Sequence, residues 1–286
     1  MTNGPGYHRP KGGGGSRDDD PLQRAMLALN RNLPNEAERI VSAVLKKDPR
    51  HSRALYIFAS ALLMQNRPRD AIAPLEIAAR GRHDPEIGTL LGIALRQAGR
   101  YDDALSQLKR VTKRQPAYGP AFHEFGSLLA SSGRYDEAIE AFRRGLDVAP
   151  MMPELSLQLG NALLQRRNCA EAKIAFARAL QISPSSADAL FGMAKAHQEI
   201  GESAEAAGYF RRYLIARPSD AGAWLNLGQC LLELRDLDAG YECFRTAARG
   251  DPKRYGAALS SLVKSGRGKF WLKPSEAARF VKGAKA

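Results

Sequence analysis

Residues 119–152 read GPAFHEFGSLLASSGRYDEAIEAFRRGLDVAPMM, and this stretch decides the fold. Phe122, Phe125 and Leu129 recur at spacings of three and four, which places them on one face of an amphipathic helix. Gly133 supplies the left-handed backbone of a tight turn, which glycine adopts without steric cost. A second helix opens at Asp136-Glu137 and carries Ile139, Phe142 and Leu146 on its buried face. Pro150 then stops it, because proline lacks the N–H that the helix would need next.

The same pattern returns every 34 residues. Pro116, Pro150, Pro184, Pro218 and Pro252 form one column, and Gly92, Gly126, Gly160, Ala194 and Gly228 a second. A third is Ala104, Ala138, Ala172, Ala206 and Gly240, and a fourth is Leu108, Phe142, Phe176, Phe210 and Phe244. Four columns in register identify a tandem repeat, and a period near 34 changes the fold expected of the whole chain. Pro49, Ala37, Ala71, Ala25 and Ala59 extend the columns backward with one slip, since Ala71 and Ala104 lie 33 residues apart. The spacing predicts seven copies over 18–51, 52–84, 85–118, 119–152, 153–186, 187–220 and 221–254.

The small columns have a mechanical reading. Gly126 and Ala138 stand where the two helices of a pair cross, and the large column of Phe142 fills the space between neighbouring pairs. One pair cannot bury its apolar face alone, so stacking supplies the core, and the class is an all-α solenoid of helix-turn-helix units. The first copy is degenerate, with Pro21 and Arg24 at places expected to be apolar, as suits a solvent-facing cap. Pro74 inside a second helix and the missing residue near Arg80-Gly81-Arg82-His83 predict an irregular junction between copies two and three.

With these residues in place, the chain resembles the tetratricopeptide repeat family. The later copies carry the resemblance best, through Trp224, Leu227, Gly228, Gly240, Phe244, Ala247 and Pro252. The resemblance implies a right-handed α-solenoid that binds a protein or peptide on a concave face lined by the first helix of each pair. On that basis the partner-facing residues are Tyr56, Thr89, His123, Asn161, Phe191, Lys195, Asn226 and Gln229, with Ser60, Ile93, Ser127, Leu157 and Leu225 in the same columns. Chaperone-binding members hold a terminal carboxylate with Lys, Asn and Arg columns. Asn161 and Lys195 share one such column here, but Leu157 and Phe191 stand where its partners would, so that clamp is not assembled. The asparagine ladder of sugar-transferring members is missing too, since the equivalent column reads Gln23, Ile57, Leu90, Glu124, Gln158, Gly192, Asn226.

The net charge is +13, and its placement matters more than its size. Residues 1–17 carry +3 and residues 255–286 carry +6, which leaves +4 over the repeats. Residues 1–17 are glycine-rich and basic and are expected to be disordered. Tyr255, Leu259 and Leu262 predict a capping helix over 255–263, and a basic-aromatic segment follows over 264–286. There Arg267, Lys269, Phe270, Trp271 and Lys273 form a second candidate contact, which either folds back on the solenoid edge or docks on a partner. Basic residues such as Arg143-Arg144, Arg178, Arg211-Arg212 and Arg245 recur once per repeat, but acidic residues open the same helices, as expected of a solvated helix face.

The chemistry-bearing residues are sparse. Cys169, Cys230 and Cys243 form no CxxC pair, which suits a reducing compartment. The five histidines show no metal spacing, and His197, in a column of leucines, reads as a core histidine with a local hydrogen bond. No catalytic constellation is legible, and neither a cofactor nor a metal is expected. No apolar run approaches the ~18 residues of a membrane span, and the first residues lack a secretory core, so the expected location is cytoplasmic. The function expected is that of a non-catalytic scaffold or adaptor for a protein or peptide partner. The alternatives are binding to nucleic acid or an anionic surface through the basic ends, and service as the recognition subunit of a separate enzyme.

Overall fold

A computed structural model describes residues 20–80 and 84–250. It shows fourteen α-helices among the described residues and no strand there. The chain divides into two compact units, the first ending at Arg114 and the second starting at Gln115. The first unit holds α1 (Pro21–Asn30), α2 (Pro34–Lys47), α3 (Ser52–Met64), α4 (Pro68–Ala79), α5 (Pro85–Gln97) and α6 (Tyr101–Thr112). The second holds α7 (Gly119–Ser131), α8 (Tyr135–Val148), α9 (Pro153–Gln165), α10 (Cys169–Ile182), α11 (Ala187–Glu199), α12 (Ser203–Ala216), α13 (Ala221–Glu233) and α14 (Leu237–Gly250).

One backbone device repeats at every hairpin. Asn32, Asn66, Gly99, Gly133, Arg167, Gly201 and Arg235 all have positive φ, and each closes the first helix of its pair. At Arg167 the closure is a pair of bonds, Arg167 N–H to the Leu164 carbonyl and Asn168 N–H to the Leu163 carbonyl, both 2.9 Å. These satisfy carbonyls that the helix end leaves without partners. The next helix then starts at once, and three of the second helices open on an i,i+3 ion pair: Arg67–Asp70, Arg100–Asp103 and Arg134–Glu137.

Arg167 and Arg235 occupy this left-handed position at φ 57° and 66° with a Cβ that crowds the following carbonyl. Glycine, already present at three of the seven turns, removes that strain at some entropic cost. Arg167→Gly and Arg235→Gly are each expected to stabilise the protein by about 0.5–1 kcal/mol, read as a higher urea midpoint.

Within each unit, helices consecutive in the chain pack together. First helices also touch across repeats, α1 with α3 and α3 with α5, then α7 with α9 and α9 with α11. Second helices make no comparable contact with one another among the described residues. The first helices therefore form the inner layer of each unit and the second helices the outer layer. α1 serves the first unit as an end helix, with Ala25, Ala28 and Leu29 packed on Ala37, Val41, Ile57 and Ala61.

The small columns make room mainly for side chains. A Cβ on Gly126 would stand 2.5 Å from the Phe142 ring, so this glycine admits an aromatic ring of its own repeat rather than a neighbouring backbone. Close backbone approach is found at Gly228, where the Gly240 carbonyl would lie 3.0 Å from an added Cβ. Phe142, Phe176, Phe210 and Phe244 are all fully buried.

Two expectations need correction or placing. Helix α4 continues through Pro74, and α4 packs on α5 as other neighbours do, with residues 81–83 between them outside the described part. The irregular junction expected there thus falls on residues outside the described part, and the division of the chain into two units lies in the segment joining α6 to α7, where the Gln115–Pro116 bond is cis. The glycine-rich residues 1–17, the capping helix placed at 255–263 and the basic-aromatic segment 264–286 also lie outside the described residues.

Candidate functional site

The inner layer of the second unit holds α7, α9, α11 and α13, and the last three carry an apolar column in the same register. Leu157, Phe191 and Leu225 recur at 34 residues along them, and all three are half-buried. They make an apolar strip with polar borders. One turn further along the same helices Asn161, Lys195 and Gln229 follow one another, and the next position in each helix is Gln158, a buried Gly192 and Asn226. Asn161 and Gln229 are exposed and Asn226 is half-buried.

Packing holds the strip in place. Phe191 meets Phe210 edge-on, with centroids 5.8 Å apart and planes at 73°, and lies 5.1 Å from the Tyr213 ring. Its ring is fixed from below by the core and keeps one edge at the surface. Lys195 donates to Gln198 at 3.1 Å and lies 3.8 Å from the Glu199 carboxylate, while Gln198 donates to Gln229 at 3.5 Å. This polar line therefore runs from α11 to α13. Gln198 was not among the residues expected at the site, although its place three after Lys195 on one helix carried the signal.

The other expected contacts differ in kind. His123 lies 3.4 Å from Glu124, its own neighbour on α7, and is largely buried. In the first unit Tyr56 carries the Arg53 guanidinium 5.3 Å above its ring, and Arg53 pairs with Glu86 at 3.4 Å. Burial, and then the Glu86 carboxylate, push the Tyr56 phenol above its usual range. Thr89 is the correction. It is 4% exposed, and its hydroxyl donates to the Pro85 carbonyl at 2.7 Å, so it offers a partner nothing. A threonine in a first helix finds the carbonyl four residues back more readily than the groove.

The recurring basic residues face other tasks in the outer layer. Arg143 pairs with Glu171 of the next repeat, and Arg178 donates to the Pro150 carbonyl at 3.0 Å. Arg144 lies over Phe122, Arg212 lies over Tyr209, and Arg245 pairs with Glu242. His197 bonds Glu202 through Nδ1 and stacks on Tyr209, which fits the core histidine with a local bond read from the sequence.

Burial pushes the Cys230 and Cys243 thiols up to about 12 and about 11, which keeps them protonated and poorly nucleophilic. No group of three metal-ligating side chains occurs among the described residues, and no helix there is long and apolar enough to cross a membrane.

Stacked two-helix repeats with an inner face of this kind define a helical-repeat protein. The family model of the tetratricopeptide repeat matches residues 22–85, 89–122, 123–187 and 191–255, and the chain belongs to that family. Several solved structures share the fold. The C-terminal part of a TPR repeat-containing protein from Cytophaga hutchinsonii is 16% identical with a TM-score of 0.65, over 84% of this chain and 99% of that one. PilF of Pseudomonas aeruginosa is 18% identical with a TM-score of 0.63, over 77% and 96%. YrrB, described as a TPR protein with an unusual peptide-binding site, is 17% identical with a TM-score of 0.53, over 64% and 95%. No curated protein sequence matches the chain.

Proposed function

We propose that this chain is a non-catalytic scaffold that binds a peptide segment of a protein partner on the inner face of its second unit. The observation that carries this reading is the half-buried strip of Leu157, Phe191 and Leu225 with amide and ammonium groups along its edge. A strip of this kind suits an extended peptide, whose apolar side chains seat on the strip while its backbone meets Asn161, Lys195 and Gln229. Burying such a strip releases water from apolar surface, and the flanking amides fix register. Membership of the tetratricopeptide repeat family and the peptide-binding site ascribed to YrrB support the reading. The cytoplasmic location expected from the sequence belongs to it as well.

The electrostatic alternative finds less support. Arg143 and Arg178 are engaged with neighbouring repeats, Arg144, Arg212 and Arg245 with groups of their own repeat, and the basic ends lie outside the described residues.

Peptides selected on the full chain from a random display library provide the test. Asn161→Ala, Lys195→Ala and Gln229→Ala together should weaken their binding about 10-fold or more, since each lost interfacial hydrogen bond costs about 0.5–1.5 kcal/mol. These side chains lie outside the core, so helix content stays unchanged. Equal affinity of the triple variant would remove the inner face from the account.

A further inference from the structure

The outer layer of the second unit holds an open groove whose equivalent one repeat earlier is filled. The filled place belongs to Tyr209 on α12. Its ring stacks on His197 with centroids 5.4 Å apart and planes at 18°, and Arg212 lies 5.5 Å from the ring centre. One repeat later the tyrosine is replaced by Cys243 and the histidine by Leu231. The consequence is a cavity of about 350 Å³ between α12 and α14. Its floor is Leu227 and Leu231, its walls are Leu214, Trp224 and Cys243, and Ile215 stands at its lip with 84% of its surface exposed.

The same place two repeats earlier, beside Ala175, keeps a cavity of only about 150 Å³, and the larger apolar surface beside Cys243 gains from being covered. The filled repeat indicates what fits, an aromatic ring. The sequence provides one close by. Phe270, Trp271 and Leu272 are three consecutive bulky apolar residues, bracketed by Lys269 and Lys273. Helix α14 is one wall of the cavity, and nineteen residues, 251–269, separate its end from Phe270. At the helical rise, Cys243 and Ala239 lie about 10 and 16 Å back along α14, while nineteen residues reach about 28 Å even at that rise and farther when extended. The tether is therefore long enough for the contact, and covalent attachment raises the local concentration of the segment to about millimolar. Arg211 also lines the groove and Glu242 is paired with Arg245, so Asp238 on the first turn of α14 is the carboxylate left for one of the two lysines to face.

We propose that Phe270-Trp271-Leu272 of the same chain seats in the groove between α12 and α14, as Tyr209 does one repeat earlier. The segment then closes the outer face of the last repeats and leaves the inner face to the partner.

Trp224 lines the groove and, apart from Trp271, is the only tryptophan, so it reports the contact directly. Trp271→Phe in the full-length chain keeps the apolar anchor and makes Trp224 the sole indole. The comparison chain carries Phe270→Ser, Trp271→Ser and Leu272→Ser, which leaves the same sole indole and removes the anchor. Its acrylamide quenching constant for Trp224 should be at least twice that of the Trp271→Phe chain, with helix content unchanged. Ile215→Glu in the Trp271→Phe chain should do the same, and its 84% exposure keeps the core out of the result. Equal quenching in all three chains would overturn the proposal. So would quenching that rises on dilution of a dimeric Trp271→Phe chain, since the segment would then come from a second copy. Protection of Trp224 only in the presence of another protein would overturn it equally.

Discussion

Phe176→Ala should lower the stability of the second unit by about 3–5 kcal/mol, the usual range for deleting a fully buried phenylalanine. The ring fills a slot shared by two first helices. A Cβ on Gly160 would lie 2.6 Å from it and a Cβ on Gly192 2.4 Å. The ring therefore joins α9 and α11 through α10, and its removal opens a cavity that rigid helices on three sides cannot easily close. Gly192→Ala tests the same slot from the other side. Helix propensity alone favours alanine by about 0.8–1.0 kcal/mol, but overpacking against a ring at 2.4 Å costs about 1–3 kcal/mol, so destabilisation should win. Urea unfolding measures both. A stabilised Gly192→Ala would show that the slot is not tight. Combined with Phe176→Leu, the alanine should cost less than alone, because the two positions share one space.

Asp220→Ala should cost about 2–4 kcal/mol, from two losses at one carboxylate. One oxygen caps α13, accepting from the Gly222 and Ala223 N–H groups at 2.8 and 3.1 Å, and such caps are worth about 1 kcal/mol. The other accepts the Tyr213 hydroxyl at 2.7 Å, and Tyr213 is buried, so its orphaned hydroxyl adds about 1–3 kcal/mol. The same pair makes an alkaline prediction. Burial, then the bond to Asp220, push the Tyr213 phenol up to about 12 from an ordinary 10.0. The unfolded chain therefore sheds this proton first. The stability it contributes is complete below pH 10 and is lost as pH rises toward 12. Urea midpoints between about pH 9 and 11.5 should fall less steeply for Tyr213→Phe than for the parent chain, and identical slopes would contradict the assignment.

The repeat was legible because its period is set by packing, and packing writes itself into columns. Phe142, Phe176, Phe210 and Phe244 recur since each must fill the same buried slot, and the hairpin turn could be read at Gly133 for its backbone alone. The turn was harder to see at Arg167 and Arg235, where a residue ill-suited to positive φ holds the conformation that the rest of the hairpin imposes. Thr89 was misread because its column faces inward, while its hydroxyl is taken by the Pro85 carbonyl within its own helix. The division after Arg114 left no mark that periodicity could detect, since the columns pass through Pro116 in register. Outside the column of Leu157, Phe191 and Leu225, the inner-face side chains keep no one residue type from repeat to repeat, because the core does not constrain them. For that reason Gln198 emerged only when its distances to Lys195 and Gln229 were known.

Photocrosslinking from the two layers tests the central claim most directly. Benzoylphenylalanine replaces Leu157 on the inner face of α9 in one chain and Ile174, exposed on the outer face of α10, in another. With a selected peptide bound, irradiation should join peptide to chain at position 157, and the Asn161, Lys195, Gln229 triple variant should abolish the product. A crosslink from position 174 with none from position 157 would place the partner on the outer layer and contradict the account.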